Sequence, residues 1–429
     1  MRFKRFFRRR WVIGAVAALL GAAATLVAIN LAPEPRELKE PLPHHLAASD
    51  QQFRLSMGAL FGSNFIPGNR IESLVNGDRI FPAMLQAIGA ARNTITFETY
   101  IYWAGDIANR FADALAAKAR EGVSVKVLLD WVGSIPMEEA LVARMQAAGV
   151  EVVRFRPIHW YTLDRVNNRT HRKLLIVDGR IGFTGGVGIG DEWTGDARSP
   201  KEWRDNHYRL EGPAVAELQA AFAEHWIEAT GELLMGDRFF PAIAPAGETG
   251  AQIVVSSTHQ RNVMHLMLMT AFAAAETRIR IATPYFVPDP IARQQLLAAR
   301  RRGVEVEIIV PGPETDARLV SKASRHFWGE LLEAGVKIHE FQPTMFHVKL
   351  VVVDGLWSSV GSTNIDERAL RLNDEANINL YDRAVAAEQN RLFEADLALA
   401  KPYTLAQWQA RPWTQKLSDW MASWLRSQI

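Results

Sequence analysis

The chain has 429 residues, of which 48% are hydrophobic and 22% charged, so it is long enough for two globular domains with cores of their own. It contains no cysteine, which excludes disulfides and cysteine-ligated metal sites. Six of its basic residues lie among the first ten, and the rest has 43 basic against 47 acidic side chains, a net charge of −4. That mildly acidic remainder argues against a protein that binds nucleic acid.

The N-terminal segment combines this basic start with an uncharged apolar run over residues 11–29. The nineteen uncharged residues exceed the roughly 7–15 of a signal-peptide core and approach the about 20 of a membrane-spanning helix. We therefore expect residues 1–31 to be an uncleaved transmembrane anchor with its N-terminus in the cytoplasm. The small residues 21–24 leave a cleaved signal peptide as the alternative.

Residues 32–67 are predicted to be a tether with a short helix, because Pro33, Pro35, Pro41 and Pro43 stiffen the chain without folding it. From about Gly68, helical and strand patterns alternate. The predicted elements of the first half are helices at 80–91, 107–120 and 138–148 and strands at 94–103, 123–129 and 150–155. Those of the second half are helices at 263–275, 291–301 and 323–334 and strands at 278–282, 304–310 and 336–341.

The two halves also match in sequence, for example at residues 119–127 and 300–308. This repetition predicts a duplicated α/β domain, with one copy at 68–245 and the other at 246–400. Each half is expected to be a mixed, largely parallel sheet flanked by helices.

One pattern, H-x-K-x4-D, occurs once in each half: His171, Lys173 and Asp178, and then His347, Lys349 and Asp354. Each copy continues at the same distance into a Gly-containing turn, at 185–186 and 361–362. From the Lys to the Asp the residues are apolar and fit a short buried strand, on which the His and Lys side chains share one face. A neutral imidazole beside an ammonium group suits nucleophilic attack on phosphorus and binding of its oxygens.

These motifs resemble those of the phospholipase D superfamily, and the surrounding sequence is most similar to its bacterial cardiolipin synthases. The resemblance extends through residues 98–100, 203–205, 211–213, 361–364 and 373–375. It implies two halves packed around a pseudo-two-fold axis, with one shared active site and no metal or other cofactor. In that site His171 attacks phosphorus to form a phosphohistidine, and His347 acts as the acid and base. Lys173 and Lys349 hold the phosphate oxygens.

The same resemblance assigns supporting residues. Asp205 and Glu375 match carboxylates that orient the histidines, and Ser362 and Asn364 follow the second motif, with Asn364 expected to donate to the phosphate. Gly188 stands where the family usually has Asn, so symmetric phosphate binding is in doubt. Asp178 and Asp354 belong to the catalytic motif but are expected to brace the strand ends. The other histidines lack metal-ligand spacing and are expected to have surface or core roles.

Apolar stretches at 157–161, 285–287 and 345–346 border the motifs and fit either core or an exposed rim that dips into lipid. The segment 401–429 carries Trp413, Leu417, Trp420, Trp424 and Leu425 at helical spacing. This helix fits either packing on the domain or an interfacial position on a membrane.

The resemblance implies a membrane-anchored phosphatidyltransferase of the bacterial inner membrane, with its catalytic part on the non-cytoplasmic side, that forms cardiolipin from phosphatidylglycerol. With water as acceptor, the same machinery is a phospholipase D, which is the alternative. A superfamily nuclease and a non-catalytic lipid-binding protein are further alternatives. The expected partners are phospholipids and the lipid bilayer, with no nucleic acid, and the sequence leaves the oligomeric state open.

Overall fold

The computed structural model describes residues 2–31, 38–158, 167–257 and 262–428. The predicted anchor falls on a helix, α1 (Arg2–Leu31). Within the described ranges, however, no helix combines the length and apolar character needed to cross a membrane. The predicted transmembrane helix is therefore not confirmed.

The remaining helices in the described ranges are α2 (Gln51–Leu60), α3 (Gly77–Ala90), α4 (Asp106–Arg120), α5 (Glu139–Ala147), α6 (Val215–Thr230), α7 (Val263–Ala274), α8 (Pro290–Arg301), α9 (Arg318–His326), α10 (Trp328–Glu333), α11 (Glu367–Arg371), α12 (Arg383–Leu397), α13 (Leu405–Gln409) and α14 (Trp413–Ser423). Single turns of 3-10 helix lie at Asp191–Trp193 and Arg426–Gln428.

The strands are β1 (Ile66–Val75), β2 (Thr94–Thr99), β3 (Ser124–Asp130), β4 (Glu151–Phe155), β5 (Leu174–Val177), β6 (Ile181–Gly185), β7 (Asn206–Glu211), β8 (Thr249–Val255), β9 (Arg278–Ala282), β10 (Phe286–Val287), β11 (Glu305–Pro311), β12 (Lys337–Phe341), β13 (Leu350–Val353), β14 (Trp357–Gly361), β15 (Ile365–Asp366), β16 (Ala376–Tyr381) and β17 (Ala400–Tyr403).

All of these strands except β10 and β15 join one sheet in the order β17-β12-β11-β9-β13-β14-β16-β8-β1-β7-β6-β5-β2-β3-β4. The antiparallel pair of β1 and β8 lies at the centre, and the strand order on one side of it repeats on the other. The predicted duplication is therefore visible as two similar half-sheets that have fused edge to edge around a pseudo-two-fold axis.

Each half-sheet is mixed, as predicted, but the expectation that it is largely parallel is wrong. In the first half β3 pairs in parallel with β2 and β4, whereas β2–β5, β5–β6, β6–β7 and β7–β1 are antiparallel. The second half repeats this arrangement. The antiparallel part begins at the motif strands β5 and β13. Each motif strand is followed at once by a tight turn, which makes it antiparallel to the next strand in the chain.

These turns have positive φ at both central residues, 54° and 61° at Asp178 and Gly179, and 53° and 59° at Asp354 and Gly355. Two consecutive left-handed residues of the Asp-Gly type form a tight turn, which a backbone hydrogen bond closes from Arg180 to Val177 in one copy and from Leu356 to Val353 in the other. Three residues separate the paired strand ends, which are Val177 and Ile181 in the first copy. The last residue of each H-x-K-x4-D motif therefore starts the hairpin that reverses the chain.

Two further expectations need correction. The predicted helix at 323–334 is two helices, α9 and α10, separated at Phe327. In addition, residues 38–50 of the predicted tether have no regular secondary structure but are not free. Leu42 exchanges backbone hydrogen bonds of 2.8 and 3.1 Å with the side chain of Gln295, and its neighbours Leu38 and Leu46 pack against the second-half core.

The hydrophobic core has a cluster in each half and a third cluster that both halves build. In the third, Phe222 and Trp226 of α6 belong to the same buried group as Ala386 and Phe393 of α12. The two halves therefore share buried apolar surface as well as a sheet. This shared core fixes the relative positions of the two motif strands.

Candidate active site

His171 lies just before β5 and takes its carboxylate partner from the other half of the chain. Its Nδ1 is 2.9 and 3.0 Å from the two carboxylate oxygens of Glu375. Ser362 donates a 2.5 Å hydrogen bond to the second of these oxygens. The backbone N–H of His171 donates to the carbonyl of Asp374, so the residue before Glu375 also holds the main chain at the histidine.

His347 repeats the arrangement in reverse, with a carboxylate from the first half. Its Nδ1 is 2.6 Å from Oδ2 of Asp205, which also accepts a 3.0 Å hydrogen bond from Nε1 of Trp193. The N–H of His347 donates to the carbonyl of Arg204, the residue before Asp205. Each histidine is thus oriented by the half to which it does not belong, and the ring nitrogen that does not contact the carboxylate is Nε2 in both cases.

The two motif lysines lie beside their histidines and are almost fully buried. Nζ of Lys173 donates a 2.8 Å hydrogen bond to the carbonyl of His171, and Nζ of Lys349 donates one of the same length to the carbonyl of His347. Nζ of Lys349 is also 2.9 and 3.1 Å from the two ring nitrogens of His347. Two ammonium groups therefore flank the imidazoles, as binding of phosphate oxygens requires.

Side chains from both halves of the chain, including both histidines, line one cavity of about 350 Å³. Its lining residues are Tyr100, Ile101, Trp103, His171, Lys173, Trp203, Tyr285, Asp316, Ala317, Val320, His347, Asn364, Asp366, Arg368 and Asn373. The ring of Tyr100 meets that of His171 edge-on at 5.5 Å between centroids. On the other side, the rings of Trp193 and Trp203 lie 5.3 and 5.5 Å from that of His347.

The electrostatic surroundings of the two histidines differ. Burial and the nearby lysines hold the pKa of His171 well below its usual range. Burial raises the pKa of its partner Glu375 to about 8. Burial and Lys349 also lower the pKa of His347, but Asp205 acts in the opposite direction. Burial alone raises the pKa of Asp205, yet His347 and Lys349 outweigh it and keep that pKa below its usual value, so Asp205 is ionised.

Asp178 and Asp354 lie at the far ends of the motif strands and do not line the cavity. The carboxylate of Asp178 accepts hydrogen bonds from the backbone N–H groups of residues 92–94. That of Asp354 accepts from the backbone N–H groups of residues 276–278 and from the Thr277 hydroxyl. Both positions fit the expected bracing role, because each carboxylate fastens the start of the neighbouring strand.

Gly188 stands where the family usually has Asn, and the structure gives a steric reason for the glycine. Asn364, the matching residue of the second half, lines the cavity, and its Oδ1 has no hydrogen-bond partner within the described ranges. A Cβ on Gly188 would lie 2.8 Å from Cβ of Ile101, which also lines the cavity. An apolar side chain therefore occupies the place of a phosphate donor on the first-half side.

Ser362 also has no equivalent on the first-half side. The matching residue is Gly186, where a Cβ would overlap the carboxylate of Asp205. The indole N–H of Trp193 serves instead as the donor to that carboxylate. Sequence reasoning missed Trp193, since it comes from a separate 3-10 turn and the motif spacing does not indicate it.

A buried group behind His171 was also missed. His225 of α6 lies between Glu98 and Asp374, with Nδ1 2.6 Å from Oε1 of Glu98 and Nε2 3.2 Å from Oδ2 of Asp374. Glu98 also accepts a 2.5 Å hydrogen bond from the hydroxyl of Thr170. His225 therefore has a core role, as expected. Its group holds Thr170, which precedes His171, and Asp374, whose carbonyl accepts from the N–H of His171. Among the described residues, no group of three or more His, Asp and Glu side chains is arranged as a metal site.

The apolar stretches next to the motifs are mainly core. Phe286, Val287, Met345 and Phe346 are at most 2% exposed, so an exposed rim is wrong for them. Tyr285 alone of these two stretches lines the cavity, where its hydroxyl donates a 2.6 Å hydrogen bond to Asp316. Trp160 and Tyr161 lie outside the described residues.

Comparisons with known proteins identify relatives of this chain. A family model described as "Cardiolipin synthase, PLD-like domain" matches residues 84–226 and 268–397. The chain is 35% identical over 350 residues to a cardiolipin synthase of Geobacillus thermodenitrificans, which covers 81% of this chain and 70% of that protein. It is 37% identical over 352 residues to cardiolipin synthase 2 of Bacillus anthracis, covering 80% and 68%.

Among solved structures, phosphatidylserine synthase from Haemophilus influenzae superimposes with a TM-score of 0.63 at 14% identity, over 84% of this chain and 95% of that one. At this low identity the match supports the fold alone. Fold, motifs and sequence relatives together define an enzyme of the phospholipase D-type phosphatidyltransferase class. Within that class the chain belongs to the family of the PLD-like cardiolipin synthases.

Proposed function

We propose that this protein transfers the phosphatidyl group of one phosphatidylglycerol to a hydroxyl of a second, which yields cardiolipin and glycerol. One observation carries the proposal. Two buried histidines, each held by a carboxylate of the opposite half, face a single cavity that Lys173 also lines, and Lys349 lies against the ring of His347. Phosphodiester exchange needs this set: a nucleophile, a proton carrier and positive charge around the phosphate oxygens.

The different surroundings of the histidines support different roles. Burial and the nearby lysines hold the pKa of His171 well below its usual range, beside a carboxyl that is itself largely protonated near neutral pH, so His171 is uncharged and its Nε2 can attack phosphorus. His347 lies against the ionised Asp205, which stabilises a protonated imidazole. We therefore assign His171 as the nucleophile and His347 as the general acid and base.

In the first step, Nε2 of His171 forms a bond to phosphorus while the bond from phosphorus to the oxygen of the head-group glycerol breaks. His347 gives its proton to that oxygen, and glycerol leaves. In the second step, His347 takes the proton from a hydroxyl of the second phosphatidylglycerol as its oxygen attacks phosphorus and the phosphorus–nitrogen bond breaks. The enzyme returns to its starting state, and no further reactant is needed.

The acceptor distinguishes this proposal from its alternative. Transfer to an alcohol requires that water be kept from the intermediate. The aromatic side chains of Tyr100, Trp103, Trp203 and Tyr285 in the cavity wall support such exclusion. If water reaches phosphorus instead, the product is phosphatidic acid and the enzyme is a phospholipase D.

Product analysis on vesicles of phosphatidylglycerol tests both points. We expect cardiolipin and glycerol with little phosphatidic acid, and enzyme quenched during turnover of phosphorus-labelled lipid should hold acid-labile label on His171. Chiefly phosphatidic acid would replace the synthase with the hydrolase. Label on His347 would reverse the two histidine roles. The variant His171→Ala serves as the control and should hold no label.

The N-terminal anchor is part of the proposal. Six basic residues before an uncharged stretch at 11–29 support a helix whose N-terminus is cytoplasmic and whose catalytic part lies across a bacterial inner membrane. A topology reporter fused after Ile429 should then behave as non-cytoplasmic. Mass spectrometry of the mature chain should find residues 1–31 still attached, and a mature N-terminus near Thr25 would show a cleaved signal instead.

A further inference from the structure

The C-terminal helix α14 and the turn after it present large apolar side chains to the outside. Their exposed fractions run from 41% for Trp420 to 74% for Trp413. We call this set the terminal apolar face, and it consists of Trp413, Leu417, Trp420, Met421, Trp424 and Leu425. A contiguous exposed group of this size, with three tryptophans, is unusual on a soluble surface and indicates an interaction site.

The orientation of this face is fixed by the opposite side of the helix. Asp419 is fully buried there and lies 2.6 Å from Nη1 of Arg411 and 3.5 Å from Nε of Arg325. Ala422 packs with Ala323 and Phe327 in a small buried cluster. Because the inner side is occupied by a buried ion pair and close packing, the helix cannot rotate to hide its tryptophans.

The helix that carries this face packs against elements of the catalytic cavity. The helix α14 packs along α9, and Ala317 and Val320 at the start of α9 line the cavity. After α14, Nε of Arg426 lies 3.1 Å from Oε1 of Glu367, and the following residue, Arg368, lines the cavity as well. The terminal helix is thus attached to two elements that border the cavity.

The exposed charges on α9 and α14 are basic. Arg318, Lys322 and Lys416 are exposed, and the single acidic residue of α9 and α14 is the buried, paired Asp419. Tryptophan favours the boundary between lipid and water, since its ring is apolar and its N–H is polar. Exposed lysine and arginine favour anionic headgroups. Apolar and basic side chains together match an anionic lipid surface better than they match a protein partner.

We propose that the terminal apolar face docks on an anionic phospholipid bilayer and holds the cavity against the headgroup layer, so that the lipid enters from the surface rather than through water. The proposal rests on the proposed function only in that the substrate is a bilayer phospholipid. It assigns the C-terminal helix a task distinct from that of the N-terminal anchor: orientation of the cavity rather than attachment of the chain.

The absence of cysteine allows a direct test on the full chain. A single cysteine introduced as Leu417→Cys is labelled with nitrobenzoxadiazole and mixed with vesicles of phosphatidylglycerol and phosphatidylcholine. We expect a blue-shifted, severalfold brighter emission that lipids with spin labels on their acyl chains quench. The matched control is Leu399→Cys, because Leu399 is similarly exposed (54% against 42%) but lies outside the face. Its label should respond little.

Equal responses at the two positions, or none at Leu417→Cys, would overturn docking through this face. A blue shift that grows with protein concentration in the absence of vesicles would overturn it too, since a second copy of the chain would then cover the face. The label reports insertion without turnover. If the label inserts but no cardiolipin forms, the docking proposal therefore holds and only the proposed function fails.

A kinetic comparison completes the test. In Leu417→Gln/Trp420→Gln both altered side chains are exposed, so the fold should be retained. We expect kcat/KM on vesicles to fall by about tenfold or more, as loss of apolar burial against lipid requires. Turnover of a short-chain phosphatidylglycerol dissolved as monomers should stay within about twofold. An equal loss on both substrates would mean that these side chains act on the site and not on docking.

Discussion

At the scale of residues, the buried lysines set the upper limit of the working pH. Burial lowers the pKa of Lys173 to about 7 and that of Lys349 to about 8. The ammonium forms that bind phosphate are therefore lost from the free enzyme as the pH rises through this range. We expect kcat/KM to fall above about pH 7, and kcat, which reports the complex in which phosphate stabilises the ammonium groups, to hold to higher pH. Circular dichroism across the range controls for unfolding, and parallel profiles of kcat and kcat/KM would contradict this account.

Sequence reasoning located the residues with a strong local pattern and missed those without one. The six motif residues, Asp205 and Glu375 were found because their spacing or their family match is visible in the chain. The sequence did not predict that each carboxylate reaches the histidine of the other half, because it does not tell which of two similar sites a side chain joins. Trp193 and His225 act through tertiary contacts alone. The sequence around Phe286 and Phe346 fits an exposed rim as well as a buried core, and only the tertiary packing decides whether these side chains are buried.

At the scale of elements, the last residue of each motif is expected to matter for stability more than for chemistry. Asp178→Ala removes the acceptor for three backbone N–H groups at the start of β2, and Asp354→Ala does the same at β9. Each should cost about 2–3 kcal/mol of unfolding free energy. A lower urea midpoint, with activity per folded molecule within about twofold, would agree.

The matched control for these variants is Glu248→Ala, which removes an exposed carboxylate from the surface and should leave the midpoint unchanged. A variant of Asp178 or Asp354 that keeps the wild-type midpoint but loses turnover would instead place the carboxylate in the reaction.

The sequence predicted the spans of several helices and strands closely, and it predicted the direction of the strands worst. The spans 278–282 and 263–275 match β9 and α7 to within a residue. Apolar runs such as 174–177 and 350–353 give no sign of strand direction, since both parallel and antiparallel strands in the middle of a sheet are buried on both faces. The signal lay in the Asp-Gly pairs at 178–179 and 354–355, which mark tight hairpins.

At the scale of the whole molecule, the exchanged carboxylates allow the two chemical steps to be separated. Asp205→Asn should lower the rate of cleavage of phosphatidylglycerol by about 10²–10³-fold, because His347 loses the charge that keeps its proton available. With phosphatidyl-p-nitrophenol, whose leaving group departs without a proton, the first-turnover release of nitrophenolate should fall by less than about tenfold.

Glu375→Ala is the comparison, since it removes the group that holds Nδ1 of the nucleophile and should impair both substrates alike. If Asp205→Asn also impairs both substrates equally, then His347 is not the acid, or Asp205 does not act through it.

The exchange also bears on why one chain carries the motif twice. In a dimer of identical subunits, the carboxylate that reaches across would be the same residue on both sides, and the two histidines would remain chemically equivalent. Within one chain, Glu375 with Ser362 and Asp205 with Gly186 and Trp193 can change independently. The fused polypeptide is thereby released from exact symmetry. One imidazole can specialise in bonding to phosphorus and the other in carrying a proton. Two identical copies of a shorter chain could not differ in this way, because every substitution would appear in both.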